Sequence, residues 1–105
     1  MRPWAEQQKQ ALRHLAAARF FLPVALDRAD SVRAEAQYEE FLHHTEWGLA
    51  LDELVYLGEQ YSDDSFQALF WSELALAAKT MNQPELVSEF MRRAEAHSEE
   101  KRGAT

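Results

Sequence analysis

Apolar residues recur every three or four positions in five stretches of the chain, the spacing of helices with one buried face. The clearest stretch is 46–61, EWGLALDELVYLGEQY. There Trp47, Ala50, Leu51, Leu54, Val55, Leu57 and Tyr61 form a stripe, while Glu46, Asp52, Glu53 and Glu59 fall on other sides. Before it, a helix over about 3–22 opens on Pro3, whose missing N–H costs nothing there, and is stopped near Phe21 by Pro23. Phe20, Phe21, Leu22, Val24 and Leu26 around that break are expected to cover the end of a bundle. A sparser helix over about 31–44 carries Ala34, Tyr38, Phe41 and Leu42, with Asp30 or Ser31 as its cap. Thr45 is the expected cap of the third helix, with Glu46 favourably in its first turn.

Gly58 and the segment 62–65, SDDS, read as a turn, with Asp63, Asp64 and Ser65 as candidate caps of a fourth helix over about 65–81. That helix is apolar almost all round, through Phe66, Leu69, Phe70, Trp71, Leu74 and Leu76, so it is expected at the centre. Asn82 and Pro84 make the next turn. A fifth helix over about 84–99 places Leu86, Val87, Phe90, Met91 and Ala94 on one face. The expected fold is therefore all-α, a single domain of five helices packed as antiparallel hairpins. Shifting the chain by 37 residues aligns Phe41 with Ala78, Ala50 with Val87, Leu54 with Met91 and Leu57 with Ala94. The second hairpin resembles a tetratricopeptide-type pair, although Val87 and Asn82 stand where that pattern has alanine and glycine. Two hairpins are too few for a tandem array, so the reading is one of convergent hairpin packing.

Composition narrows the class. Hydrophobic residues make up 47% and charged residues 28% of 105 residues, a globular balance. Three glycines and three prolines are little turn chemistry for a many-stranded fold. Without cysteine there is neither a disulfide framework nor thiolate chemistry. The absence of a signal-like or spanning apolar run points to a cytoplasmic protein that does not enter a membrane. The net charge of −7 is unevenly distributed. Residues 1–33 carry +3, residues 79–105 are neutral, and residues 34–78 carry −10 with no lysine or arginine. Such a block repels nucleic acid and attracts cationic surfaces; the alternative is a solvated face kept negative for solubility. The basic Lys9, Arg13, Arg19, Arg28 and Arg33 are read as contacting the acidic block within the chain rather than nucleic acid.

Catalytic and metal-binding patterns are missing. His43, His44 and Glu46 cluster at a helix end, but adjacent helical positions point about 100° apart and no second cluster completes a metal site. His14 and His97 read as structural. Asp52-Glu53 and Asp63-Asp64 are neighbouring carboxylates that do not converge on one substrate atom. Phosphate loop, nucleophile elbow, HExxH and EF-hand patterns are all lacking. A binding protein without catalysis, cofactor or metal is the expectation.

The stretch 38–61, YEEFLHHTEWGLALDELVYLGEQY, followed by FWSELALAAKTM at 70–81, resembles small immunity proteins of bacterial polymorphic-toxin systems of the Maf and contact-dependent-inhibition types. The resemblance covers about half the chain and rests on helical patterns. It implies a cytoplasmic, non-catalytic protein that binds and blocks a cognate toxin domain, often a basic nuclease. Glu35, Glu39, Glu40, Glu46, Asp52, Glu53, Glu59, Asp63 and Asp64 are the expected partner-binding residues. The alternative is a helical adaptor or chaperone-like module that holds a peptide in a groove between the hairpins.

Overall fold

The computed structural model describes residues 3–61 and 66–103. They form five helices: α1 (Pro3–Phe20), α2 (Ala29–His43), α3 (Trp47–Gln60), α4 (Gln67–Thr80) and α5 (Pro84–Gly103). The all-α expectation holds, and among the described residues there is no strand. The starts of α1 and α5 are those read in the sequence, and the other boundaries differ by one to four residues, most at the end of α5. The caps differ in kind. Arg28, Glu46 and Phe66 occupy the N-cap positions of α2, α3 and α4, and none makes a side-chain cap hydrogen bond. Ser31, expected as a cap, is instead fully buried inside α2 with an unpartnered Oγ. Asp63, Asp64 and Ser65 lie outside the described residues.

Packing follows the periodic stripes. One apolar cluster draws on all five helices, including Leu15, Tyr38, Leu54, Phe70, Leu74 and Phe90. α4 sits at its centre, against α5 on one side and α1 on the other, while α2 pairs with α3. α3 meets α4 over a shorter contact than α1 does, so α1 rather than α3 covers most of that side of α4. Trp71 anchors the centre. Its ring lies edge-on to Phe70 at 4.9 Å and beside Phe90 at 5.7 Å. Its Nε1 donates to Gln67 Oε1 at 2.8 Å, and Gln67 Nε2 donates to Tyr61 O at 2.8 Å, which satisfies a buried amide. Leu69 and Leu76 on α4 and Met91 on α5 are exposed, so α4 is not buried all round and Met91 leaves the face assigned to it. Around the Pro23 break Leu22 is buried, but Phe20 and Val24 face solvent at 80% and 95% exposure. That part of the apolar patch does not cover the bundle.

Gly58 does not make a turn. It is buried within α3, where a β-carbon would overlap Phe70 Cε2 and stand 2.8 Å from Cζ. Glycine there lets α3 approach the Phe70 ring.

The two hairpin turns share one backbone design. At the α2–α3 turn Glu46 N–H donates to Phe41 O at 2.8 Å and Thr45 N–H to Leu42 O at 3.2 Å. At the α4–α5 turn Gln83 N–H donates to Ala78 O at 2.9 Å and Asn82 N–H to Lys79 O at 3.0 Å. These are Schellman closures, which satisfy carbonyls at a helix C-terminus through one left-handed residue. The left-handed residues are Thr45 (φ 57°) and Asn82 (φ 60°), which the 37-residue shift aligns. Thr45 therefore ends α2 rather than capping α3, and its Oγ1 donates to His44 O.

Candidate functional site

The helices sort the acidic residues into groups with different fates. Glu35 on α2 pairs with Arg19 Nε from the last turn of α1, and Arg19 also donates to Pro23 O at 3.0 Å. Glu59 on α3 accepts from Arg93 Nη1 at 3.0 Å, while Arg93 Nε reaches Glu89 at 3.4 Å and its guanidinium lies 4.6 Å over the Trp71 ring. Arg93 thereby ties α3, α4 and α5 through ion pairs and a cation–π contact. Glu73 on α4 meets His14 Nδ1 at 2.9 Å. Residues 34–78 thus carry no lysine or arginine of their own but receive Arg19 from α1 and Arg93 from α5. Of the basic residues expected to contact the acidic block, only Arg19 makes an ion pair with it among the described residues. Arg28 is likewise spent within the chain, donating to Gln60 O at 2.5 Å and lying 5.0 Å over Tyr61.

Glu53 is half-buried between α2 and α3. Burial pushes its carboxyl up from the ordinary range, and the Asp52 charge adds to this. With its nitrogen turned toward α3, the Gln37 amide donates to both Glu53 oxygens at 3.1 and 3.3 Å and opposes that shift. Glu39, Glu40, Glu46 and Asp52 remain. All four are exposed and none has an ion-pair partner among the described residues. They gather on the half of the α2–α3 hairpin nearest its turn. Asp63 and Asp64, also expected among the partner-binding residues, lie outside the described residues. His43 and His44 stand at the same turn, exposed and edge-to-face at 5.8 Å. Among the described residues no group of three or more His, Asp or Glu side chains is placed to hold a metal ion, and no helix is long and apolar enough to cross a membrane.

Below two of these carboxylates the two hairpin turns come side by side and leave a cleft of about 530 Å³. Glu46, Gly48, Leu49, Leu51 and Asp52 from α3 and its N-cap form one wall, and Met81, Gln83 and Leu86 form the other. Glu46 and Gln83 are equivalent under the 37-residue shift. The periodicity that defines each helix does not reveal this second wall; Leu49, off the buried stripe of α3 and 46% exposed, is the one residue that hints at it. A smaller cavity of about 290 Å³ over Trp71 is lined by Glu59, Gln67 and Arg93, which are already bonded to one another or to the core. The 530 Å³ cleft instead joins an apolar floor to unspent negative charge. That combination suits a cationic group carried on an apolar stem. Comparison of the chain with protein-family models, curated proteins and solved structures returns no match.

Proposed function

We propose that the chain is a stoichiometric inhibitor of the immunity type, which binds a basic toxin domain through the acidic surface of the α2–α3 hairpin. The observation that carries this reading is the division among the carboxylates. Glu35 and Glu59 are paired with arginines and Glu73 is bonded to His14 within the chain, whereas Glu39, Glu40, Glu46 and Asp52 are left exposed and unpaired around one turn. Like charges concentrated in this way repel one another in the free protein and are relieved by a cationic partner. Glu35, Glu59 and Glu53 accordingly leave the set of binding residues and become structural.

The test joins Glu39→Gln, Glu40→Gln, Glu46→Gln and Asp52→Asn, which keep shape and remove charge. The partner to assay is a small basic toxin domain, sought first in the reading frame next to the one that encodes the chain. The parent should protect cells that express that domain and bind it in a one-to-one complex. The fourfold variant should fold at least as stably and associate roughly tenfold or more slowly, with most of the salt dependence gone. Failure of the parent to protect or bind ends the inhibitor reading. An unchanged association rate in the variant makes the acidic surface a solubility feature. The adaptor reading is favoured by the cleft between the hairpins and is distinguished by binding that hardly responds to salt.

A further inference from the structure

We propose that the cleft between the two hairpin turns is the anchoring subsite of the acidic surface, and that it takes an arginine side chain flanked by apolar residues from a basic protein partner. This rests on the reading of that surface as the partner-binding face. The cleft has two chemistries at fixed places. Leu49, Leu51, Met81 and Leu86 offer apolar surface, while Glu46 and Asp52 carry negative charge without an ion-pair partner among the described residues. A long basic side chain matches both, its methylenes on the floor and its charge at the carboxylates. Arginine fits better than lysine because its planar fork presents several donors to two separated carboxylates and is more weakly hydrated. A volume of about 530 Å³ leaves room for apolar neighbours of that arginine as well.

Gly48 adds an independent observation. It lies in the first turn of α3 with an ordinary negative φ, and a β-carbon there would meet nothing within 4 Å. Nothing in the fold requires glycine at this position, and glycine weakens a helix relative to alanine. What its absent side chain provides is bare backbone in the wall of the cleft, where a partner approaches closely. The apolar surface at Phe20 and Val24 is more exposed. The charge beside it, Arg19, is already paired with Glu35 and bonded to Pro23 O and Val24 O, so none is left to select an occupant.

The chain contains three methionines, Met1, Met81 and Met91. Met81 lines the cleft and Met91 is exposed on α5, so ¹³C-methyl labelling of methionine supplies a reporter and a control. The probes are acetyl-Leu-Arg-Leu-amide, its Leu-Gln-Leu and Ser-Arg-Ser analogues, and tetralysine. Leu-Arg-Leu should shift the Met81 methyl saturably, with a dissociation constant on the order of 1–10 mM, and leave Met91 unmoved. Replacing the arginine, replacing the leucines, or introducing Asp52→Asn should each weaken binding roughly tenfold. Gly48→Ala should weaken it as well while the protein stays folded. A silent Met81 overturns the proposal, as does equal binding of Ser-Arg-Ser. If tetralysine shifts the amides of Glu39 and Glu40 while Leu-Arg-Leu leaves Met81 unmoved, the acidic surface stands and the anchoring cleft falls. If Met81 responds but the parent neither protects against the toxin nor binds it, the cleft stands and the inhibitor reading falls.

Discussion

Gly58→Ala should destabilise the protein through a single added methyl group. The new carbon would overlap Phe70 Cε2 and stand 2.8 Å from Cζ and 3.1 Å from Cδ2. Ordinary contact begins near 3.4 Å, so the ring edge must retreat by more than about 1 Å. Phe70 is fully buried, and its ring meets Trp71 at 4.9 Å. Trp71 is held in turn by the Gln67 hydrogen bond and by Arg93, so the retreat spreads into a packed centre. Overpacking of this kind costs about 1–3 kcal/mol. With the ring displaced this far in a packed centre, the cost falls in the upper half of that range, about 2–3 kcal/mol. Alanine returns roughly 0.5–1 kcal/mol as the better helix former, which leaves a net loss of about 1–2.5 kcal/mol. For a domain of this size that lowers Tm by roughly 5–15 °C in calorimetry. Gly48→Ala is the control: the same change in the same helix, into open space, should stabilise by up to about 1 kcal/mol. Adding Phe70→Leu to Gly58→Ala should recover part of the loss, with a coupling above about 0.5 kcal/mol. A Gly58→Ala protein as stable as the parent would show that α3 and α4 do not meet at this ring.

Thr45→Asn should stabilise by about 1 kcal/mol and Asn82→Thr should destabilise by a similar amount, read by urea denaturation, because asparagine tolerates the left-handed backbone better than a β-branched residue; equal stabilities would remove the left-handed turn. Tyr38 is pushed up to about 12 by burial, with Arg19 pulling it back and Glu39 and Glu35 adding to the rise. One of the three tyrosines should therefore ionise late in an absorbance titration, and stability should fall between pH 10 and 12 in the parent but not in Tyr38→Phe. Glu53 is raised as well, so its contribution is present below the ordinary carboxylate range and is lost as pH climbs through its folded value. Glu53→Gln should gain stability relative to the parent as pH rises from acid to neutral; the opposite slope would mean that the Gln37 hydrogen bond outweighs burial.

Local periodicity made the five helices and the core role of Trp71 and Leu74 legible, since each follows from residues within a few turns of one another. Caps were not legible. Only three residues separate the helices of each hairpin, and the closure of the first helix takes them over, so Thr45 serves α2 instead of α3. Gly58 was misread because glycine near a run of turn residues signals a chain reversal locally, whereas here it answers a ring from another helix. The acidic block was visible as a count, but the partners of its carboxylates lie 16, 34 and 59 residues away, which no segment sum contains. The cleft escaped for the same reason, since its walls come from two turns that meet only in the folded chain.

The paired Schellman turns separate what the cleft is from what it recognises. Its walls stand on main-chain hydrogen bonds at Phe41–Glu46 and Ala78–Gln83, while Glu46, Leu49, Asp52 and Gln83 along the rim lie outside the core. Substitutions at those four positions change the chemistry presented along the rim with little cost to the frame, because all four side chains are exposed and Glu46, although the N-cap of α3, makes no side-chain cap hydrogen bond. Under the proposed anchoring role, the rim can drift under selection to match a changing partner, and a single exchange of charge there would redirect the chain to a different one.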